Sequence, residues 1–143
     1  TAFIPMLMDT GGNSGSQACV SIIRGISLNE IEFRDLGRVV WKEIRVSVLC
    51  GVCLAIACFA KIIVVDMLLL KSESVTYLVA FVVCATMAVT VCLAKIVGST
   101  LPLLAKKLGF DPAVMASPII TTIVDFLSLL VYFAFATAML GIG

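Results

Sequence analysis

Long apolar runs alternate with short charged interruptions along this chain, and that rhythm predicts its elements. Four apolar stretches stand out, at about residues 1–26, 44–65, 74–104 and 112–141. Each reaches the roughly 20 residues that a helix needs to cross a hydrocarbon core. Period-two alternation of apolar and polar residues is absent, which argues against a membrane β-barrel. Helices also satisfy their own backbone hydrogen bonds in lipid. The predicted architecture is an all-α membrane protein, a polytopic helical bundle with four spans forming one domain over 1–143.

Residues 29–43, between the first two spans, read as a short amphipathic helix. Asn29 is the expected N-cap, Glu32 completes a capping box, and Leu28 can staple onto Phe33. Phe33, Leu36, Val40 and Ile44 fall on one face, and Arg34, Arg38, Lys42 and Arg45 on another, with Trp41 suited to the water boundary. Such a helix is expected to lie among the lipid headgroups. The competing reading is a docking face for a cytosolic domain.

Composition sharpens the class. The chain has 143 residues, of which 62% are apolar and 13% charged. Soluble domains have roughly 45–50% apolar and about 25% charged residues. That contrast excludes a water-soluble domain, a disordered segment and a basic nucleic-acid binder, and the net charge of +1 attracts no polyanion. Charge placement sets orientation. The first and third loops hold seven Lys and Arg residues against two in the second, so the positive-inside rule puts them in the cytoplasm. Both ends, the C-terminus included, are then expected on the outer side. The chain opens at Thr1, without a basic leader, in or near the top of a span. An upstream span is therefore expected, with a natural protein longer at its N-terminus.

The chemistry is narrow. Histidine is absent, which removes the commonest metal ligand and neutral-pH base. Cys19, Cys50, Cys53, Cys58, Cys84 and Cys92 all lie in apolar runs, where cysteine acts as a small hydrophobe. Two polar features remain. In the first span, Asp9, Asn13, Ser16 and Gln17 share a helical face within a run that also holds Gly11, Gly12 and Gly15. Gly11 and Gly15 form a small-xxx-small pair suited to close helix packing. In the fourth span, Asp111 and Pro112 are expected to open the helix, with Pro118 kinking it further in. Ser117, Thr121, Asp125, Ser128 and Tyr132 share a face there. An Asp at a helix centre costs roughly 2.5–3.5 kcal/mol on insertion scales, so Asp125 should face water, a cation or a partner. Lys95 is the one structural partner that the sequence offers it.

Carboxylate, amide, hydroxyl and carbonyl oxygens suit hard cations such as Mg²⁺, Ca²⁺ or Mn²⁺. Mg²⁺ keeps several of its waters and is held by one or two carboxylates. Two chains meeting along the fourth span would put two Asp125 groups before one pore, binding a hydrated ion weakly enough to release it.

Two motifs resemble those of the MgtE magnesium channels. The first is Thr10-Gly11-Gly12-Asn13-Ser14-Gly15-Ser16-Gln17, followed by Ile22-Ile23-Arg24-Gly25; the second is Leu108-Gly109-Phe110-Asp111-Pro112-Ala113, leading to Ser117-Pro118 and on to Asp125. The resemblance covers essentially the whole chain. It implies a homodimeric Mg²⁺ channel of the cytoplasmic (inner) membrane, with five spans per chain, a pore at the dimer axis and cytosolic regulatory domains elsewhere in the protein. The chain would then start in the family's second span. The implied metal site falls on Asp125, with Ser117 and Thr121 near it and Gly12 and Asn13 on the facing span. Asp9, Ser16, Gln17, Pro118 and Ser128 are further pore-lining candidates. Many members carry a second Asn where this chain has Ser16. Mg²⁺ is the implied ion, with Mn²⁺, Co²⁺ and Ca²⁺ as competitors. Two alternatives remain at this point: an ion-coupled Mg²⁺ exchanger, and an intramembrane aspartyl protease using Asp9 and Asp125, although a GxGD run is absent.

Overall fold

The computed structural model describes residues 2–71, 75–115 and 118–141. Four long helices account for most of them: α1 (Ile4–Ser27), α2 (Leu36–Lys61), α3 (Tyr77–Lys107) and α4 (Pro118–Leu140). No strand occurs among the described residues. The chain is thus the all-α bundle that its hydropathy predicts.

The turns follow from local chemistry. Asn29 does not start a helix; it ends α1. Its φ of 56° lies in the left-handed region, which its short polar side chain tolerates. Asn29 N–H donates to Ile26 O at 3.1 Å and Glu30 N–H to Gly25 O at 2.9 Å, a Schellman closure that satisfies two orphan carbonyls. Gly109, at φ 82°, closes α3 in the same way, with Phe110 N–H donating to Ala105 O at 2.9 Å. The capping box forms three residues later than expected. Glu32 is the N-cap, and its N–H donates to Asp35 Oδ2 at 3.1 Å. A 3₁₀ turn at Phe33–Asp35 then feeds directly into α2.

Because of that, the separate interfacial helix expected over 29–43 does not form as its own element. Residues 36–43 are the first turns of α2, and no break separates them from the apolar stretch. No Gly–Pro pair or capping residue near 43–44 could interrupt it. Phe33 and Leu36 pack against Ile22, Ile26, Val39 and Leu103, which ties this end of α2 to the bundle. Beyond Lys61 the helix widens into a π-wound segment, Ile62–Leu69, where Lys61 Nζ meets Asp66 Oδ2 at 2.8 Å.

The opening of α4 also differs from expectation. Asp111 Oδ1 accepts from Ala113 N–H at 2.9 Å and caps only a short 3₁₀ turn, Pro112–Met115. Pro118 is the first described residue of α4, directly after that turn and the two residues that lie outside the described set, and the helix runs on from it to Leu140. A proline near a helix start suits its missing N–H, since the first-turn N–H groups have no partner inside the helix.

Helix α3 is the hub, packing against α1, α2 and α4. One core cluster joins Phe3 and Leu7 to Cys58, Ile62, Val83, Met87 and Val91; a second joins Cys19 and Ala94 to Ile120 and Val124. α1 and α3 pack closely where Gly98 meets the Gly15 backbone, so that a Cβ at Gly98 would fall on the Gly15 carbonyl oxygen. The apolar residues left outside, such as Val48, Leu49, Ile56, Phe81, Phe126 and Phe133, are exposed as lipid-facing residues would be.

Among the described residues, three helical stretches are long and apolar enough to cross a bilayer: Phe33–Leu69, Tyr77–Lys107 and Pro112–Met139. The first expected span, now α1, does not join them. It is 24 residues long, about 36 Å at 1.5 Å per residue, so length is not the obstacle. Its run of Gly, Ser, Asn and Gln dilutes the hydropathy, and it is held instead by contact with α3 and α4.

Candidate functional site

Helix packing decides which polar residues meet. α4 lies against the glycines of α1 in a register readable residue by residue. A Cβ on Gly11 would meet Val124 Cγ1 at 3.0 Å and Ser128 Oγ at 3.1 Å. A Cβ on Gly15 would meet Ile120 Cγ2 at 3.0 Å. These contacts are the dry seam between the helices. One residue round, a Cβ on Gly12 would meet Thr121 Cγ2 at 3.3 Å and Asp125 Oδ1 at 3.8 Å. The missing side chain of Gly12 therefore leaves room for the carboxylate beside the α1 backbone.

Asp125 sits at the border of that seam. Val124 before it is buried, Phe126 after it is exposed, and Asp125 is half-buried. No Lys or Arg pairs with it among the described residues. Asp9, one turn before Gly12 on α1, is exposed and close enough for its charge to act on Asp125. Thr121 donates its hydroxyl to Pro118 O at 3.1 Å, and Thr122 donates to the same carbonyl at 2.8 Å. Pro118 thus offers an oxygen already occupied by two hydroxyls. Asn13 and Gln17 are exposed on α1 beside Gly12, and Ser16 is half-buried with its hydroxyl unpaired among the described residues. Ser117 lies outside the described residues.

The sequence-derived set therefore divides. Asp125, Thr121 and Gly12 meet, with Asp9 and Asn13 on the adjoining α1 face. Ser128, expected on the same open stripe, is buried in the seam and donates to Val124 O at 2.7 Å. Three residues beyond Asp125, at about 100° per residue, it lies about 60° back towards buried Val124. Among the described residues no three His, Cys, Asp or Glu side chains cluster to grip a metal directly.

Lys95 does not pair with Asp125. Its ammonium faces the Glu43 carboxylate of α2 at 3.8 Å, both side chains about nine-tenths buried. The α2 stripe was the missed signal: its buried residues are Val39, Glu43, Ser47, Gly51 and Cys58, mostly small or polar at near-helical spacing. In a helix whose outer face meets lipid, the least apolar stripe is the one that turns inward.

Known proteins resemble this chain along nearly its whole length. The chain is 34% identical over 138 residues to the "Magnesium transporter MgtE" of Bacillus subtilis, covering 96% of this chain and 29% of that protein. It is 33% identical to the Thermus thermophilus protein of the same name over 138 residues, again 96% of this chain and 29% of the relative. The Enterococcus faecalis protein of that name is 31% identical over 135 residues, 94% of this chain and 28% of the relative. The chain thus spans less than a third of the length of these relatives. The MgtE family profile, described as "Divalent cation transporter", matches residues 4–135, and the chain belongs to that family.

Proposed function

We propose that this chain is the permeation unit of a Mg²⁺ channel, with the pore at a homodimer axis lined by α1 and α4. The observation that carries the reading is the juxtaposition of Asp125 with Gly12 at the edge of the α1–α4 seam. An unpaired carboxylate at bilayer depth is costly, and a cation in an aqueous passage offsets that cost. One carboxylate per chain suits an ion that keeps its waters. A two-fold axis beside this edge brings a second Asp125 to face the first. Thr121 and Asn13 add hydroxyl and amide oxygens to hold the ion's water shell, Ser117 is a further candidate, and Asp9 adds negative charge on the α1 wall. The relatives' name, magnesium transporter, supports Mg²⁺ as the ion. Mn²⁺, Co²⁺ and Ca²⁺ are competitors to be measured against it. Three basic residues, Arg34, Arg38 and Lys42, lie near the start of α2. By the positive-inside rule this end faces the cytoplasm, where regulatory domains and anionic lipid would meet it, and the C-terminus faces outward.

The test is Mg²⁺ uptake into proteoliposomes. Asp125→Ala should lower uptake about tenfold or more, because the pore loses its fixed negative charge. Unchanged uptake would reject the role of Asp125. Dependence of uptake on a sodium gradient would instead favour a coupled exchanger. Two acids near each other, Asp9 and Asp125, also fit the pairing that an aspartyl protease needs, but the family is one of transporters.

A further inference from the structure

The 3₁₀ turn and the first turns of α2 carry Arg34, Arg38, Lys42 and Arg45, and these four cations divide into two pairs. Arg34 Nε meets Glu32 Oε2 at 3.0 Å, and Arg38 Nη1 meets Asp35 Oδ1 at 3.6 Å. Lys42 and Arg45 have no acidic partner among the described residues. Glu43, which stands between them in the sequence, is buried and faces Lys95 instead. Both cations are exposed, and with Val46 and Leu49 they line a space of about 350 Å³ at the surface of α2. Two cations left without counter-charges beside one space make an electrostatic seat for an anion.

What lies further along α2 says which anion. Arg45, Val48, Leu49 and Val52 stand at i, i+3, i+4 and i+7, so they share one face of the helix. Leu49 lines the basic space, and its neighbour Val48 lines a second one. That second space is a groove of about 260 Å³ between α2 and α3, lined by Val48, Gly51, Val52, Ala88, Val89 and Leu93. No charged side chain lines it. Gly51 leaves the floor open down to Ala88, while Val48, Val52 and Val89 stand exposed around it. Val52 lies about 10 Å along the helix from Arg45, within the roughly 15 Å of hydrocarbon in one leaflet. Trp41, one turn before Arg45 and 64% exposed, suits the water boundary at the basic end. A phosphate at the basic end and hydrocarbon in the groove are the two ends of one molecule, an anionic phospholipid. An acidic protein surface would answer the cations and leave the groove empty; a neutral lipid would fill the groove and leave the cations unanswered.

We propose that Lys42 and Arg45, with the α2–α3 groove beyond them, hold one anionic phospholipid, its phosphate at the two cations and an acyl chain in the groove. The site shares no residue with the Asp125 edge, so it stands whether or not the permeation reading above does.

The experiment is native mass spectrometry of the complete protein in detergent, given equal amounts of phosphatidylglycerol and phosphatidylcholine with the same acyl chains. Phosphatidylglycerol should be retained about fivefold or more over phosphatidylcholine. Lys42→Gln with Arg45→Gln should cut that ratio about threefold or more, whereas Arg34→Gln with Arg38→Gln, which removes cations already paired, should leave it nearly unchanged. Equal losses from the two double variants overturn the proposal, because the preference would then belong to a diffuse basic surface. A parent without preference overturns it too, and leaves the cations to a cytosolic domain. Val52→Trp with Val89→Trp fills the groove and should lower retained phosphatidylglycerol about threefold. Retention unchanged by the two tryptophans overturns the proposal, because another part of the protein then covers the groove. If that variant does not fold, Val52→Phe alone serves, with a loss of about twofold expected and an unchanged retention again overturning the proposal. Release of the phosphatidylglycerol by an equal concentration of glycerol 3-phosphate overturns it as well, because the headgroup alone would then account for the binding.

Discussion

The α2–α3 seam and the α1–α4 edge each bring a buried or half-buried acid to a close helix contact, and they treat it in opposite ways. In the α2–α3 seam, Glu43 is about nine-tenths buried and faces Lys95. Gly51 lets the helices meet there: a Cβ would stand 3.2 Å from Ala88 O and 3.3 Å from Ala88 Cα. At the α1–α4 edge, Gly12 makes a similar opening, but what it admits is the Asp125 carboxylate, with no basic partner among the described residues. A charge that is paired and enclosed belongs to the architecture. A half-buried charge left unpaired at an open edge is held for something that the chain itself does not supply.

That contrast predicts opposite signs for the same kind of substitution. Glu43→Ala strands the Lys95 ammonium in the seam and should cost about 3 kcal/mol, the usual scale for breaking a buried pair from one side. Asp125→Ala removes a carboxylate whose burial nothing offsets in the isolated chain. It should leave stability unchanged or raise it by up to about 2 kcal/mol, since the insertion cost of the Asp disappears. Thermal unfolding in detergent, in the absence of Mg²⁺, reads both. Equal destabilisation by the two variants would erase the distinction between the two regions.

A smaller pair of changes probes the glycines. Gly51→Ala pushes a methyl group against the Ala88 backbone, which cannot swing aside, and should cost about 1–2 kcal/mol as overpacking. Gly12→Ala meets first the methyl group of Thr121, at 3.3 Å. A few tenths of an ångström of side-chain movement relieves that contact, so the stability loss should stay below about 1 kcal/mol. The same methyl group stands at ordinary contact distance from Asp125 Oδ1, where it displaces water from the carboxylate. Mg²⁺ uptake should therefore fall for Gly12→Ala by more than its unfolding midpoint accounts for, and for Gly51→Ala only in proportion to the folded fraction. Uptake measured against folded protein separates the two.

The sequence makes part of this contrast legible and hides the rest for physical reasons. Asp125 is visible because a carboxylate in an apolar helix has no bland explanation, and the glycine run of α1 is visible because three glycines in five residues are costly in a helix. The partner of Lys95 is hidden, because pairing across helices depends on the α2–α3 register and not on spacing along either helix. The inward turn of Ser128 is hidden for the same reason: its place is set by where α1 lies, and a helical wheel drawn for α4 alone is silent on that. The capping signals at 29–35 mislead by proximity. Asn29 and Glu32 have the spacing of a capping box, but so do Glu32 and Asp35, and the left-handed turn that closes α1 claims Asn29 first. Once Asn29 is used there, α2 can begin only after Glu32, and nothing remains to divide its basic first turns from its apolar length.

The smallest expected effect tests whether glycine matters here by position or by kind. Gly37 lies in the first turn of α2, and a Cβ there would meet nothing within 4 Å. It supports no close approach and no unusual backbone angle. Alanine in its place reduces the freedom of the unfolded chain and fits the helix better, so Gly37→Ala should raise stability by roughly 0.5 kcal/mol. Uptake should not change, since the residue is exposed and far along the chain from both Gly12 and Asp125. Set beside Gly51→Ala and Gly12→Ala, this one substitution carries the opposite sign. A loss of stability at Gly37 would mean that the start of α2 bends or packs in the membrane through a contact that lies outside the isolated bundle.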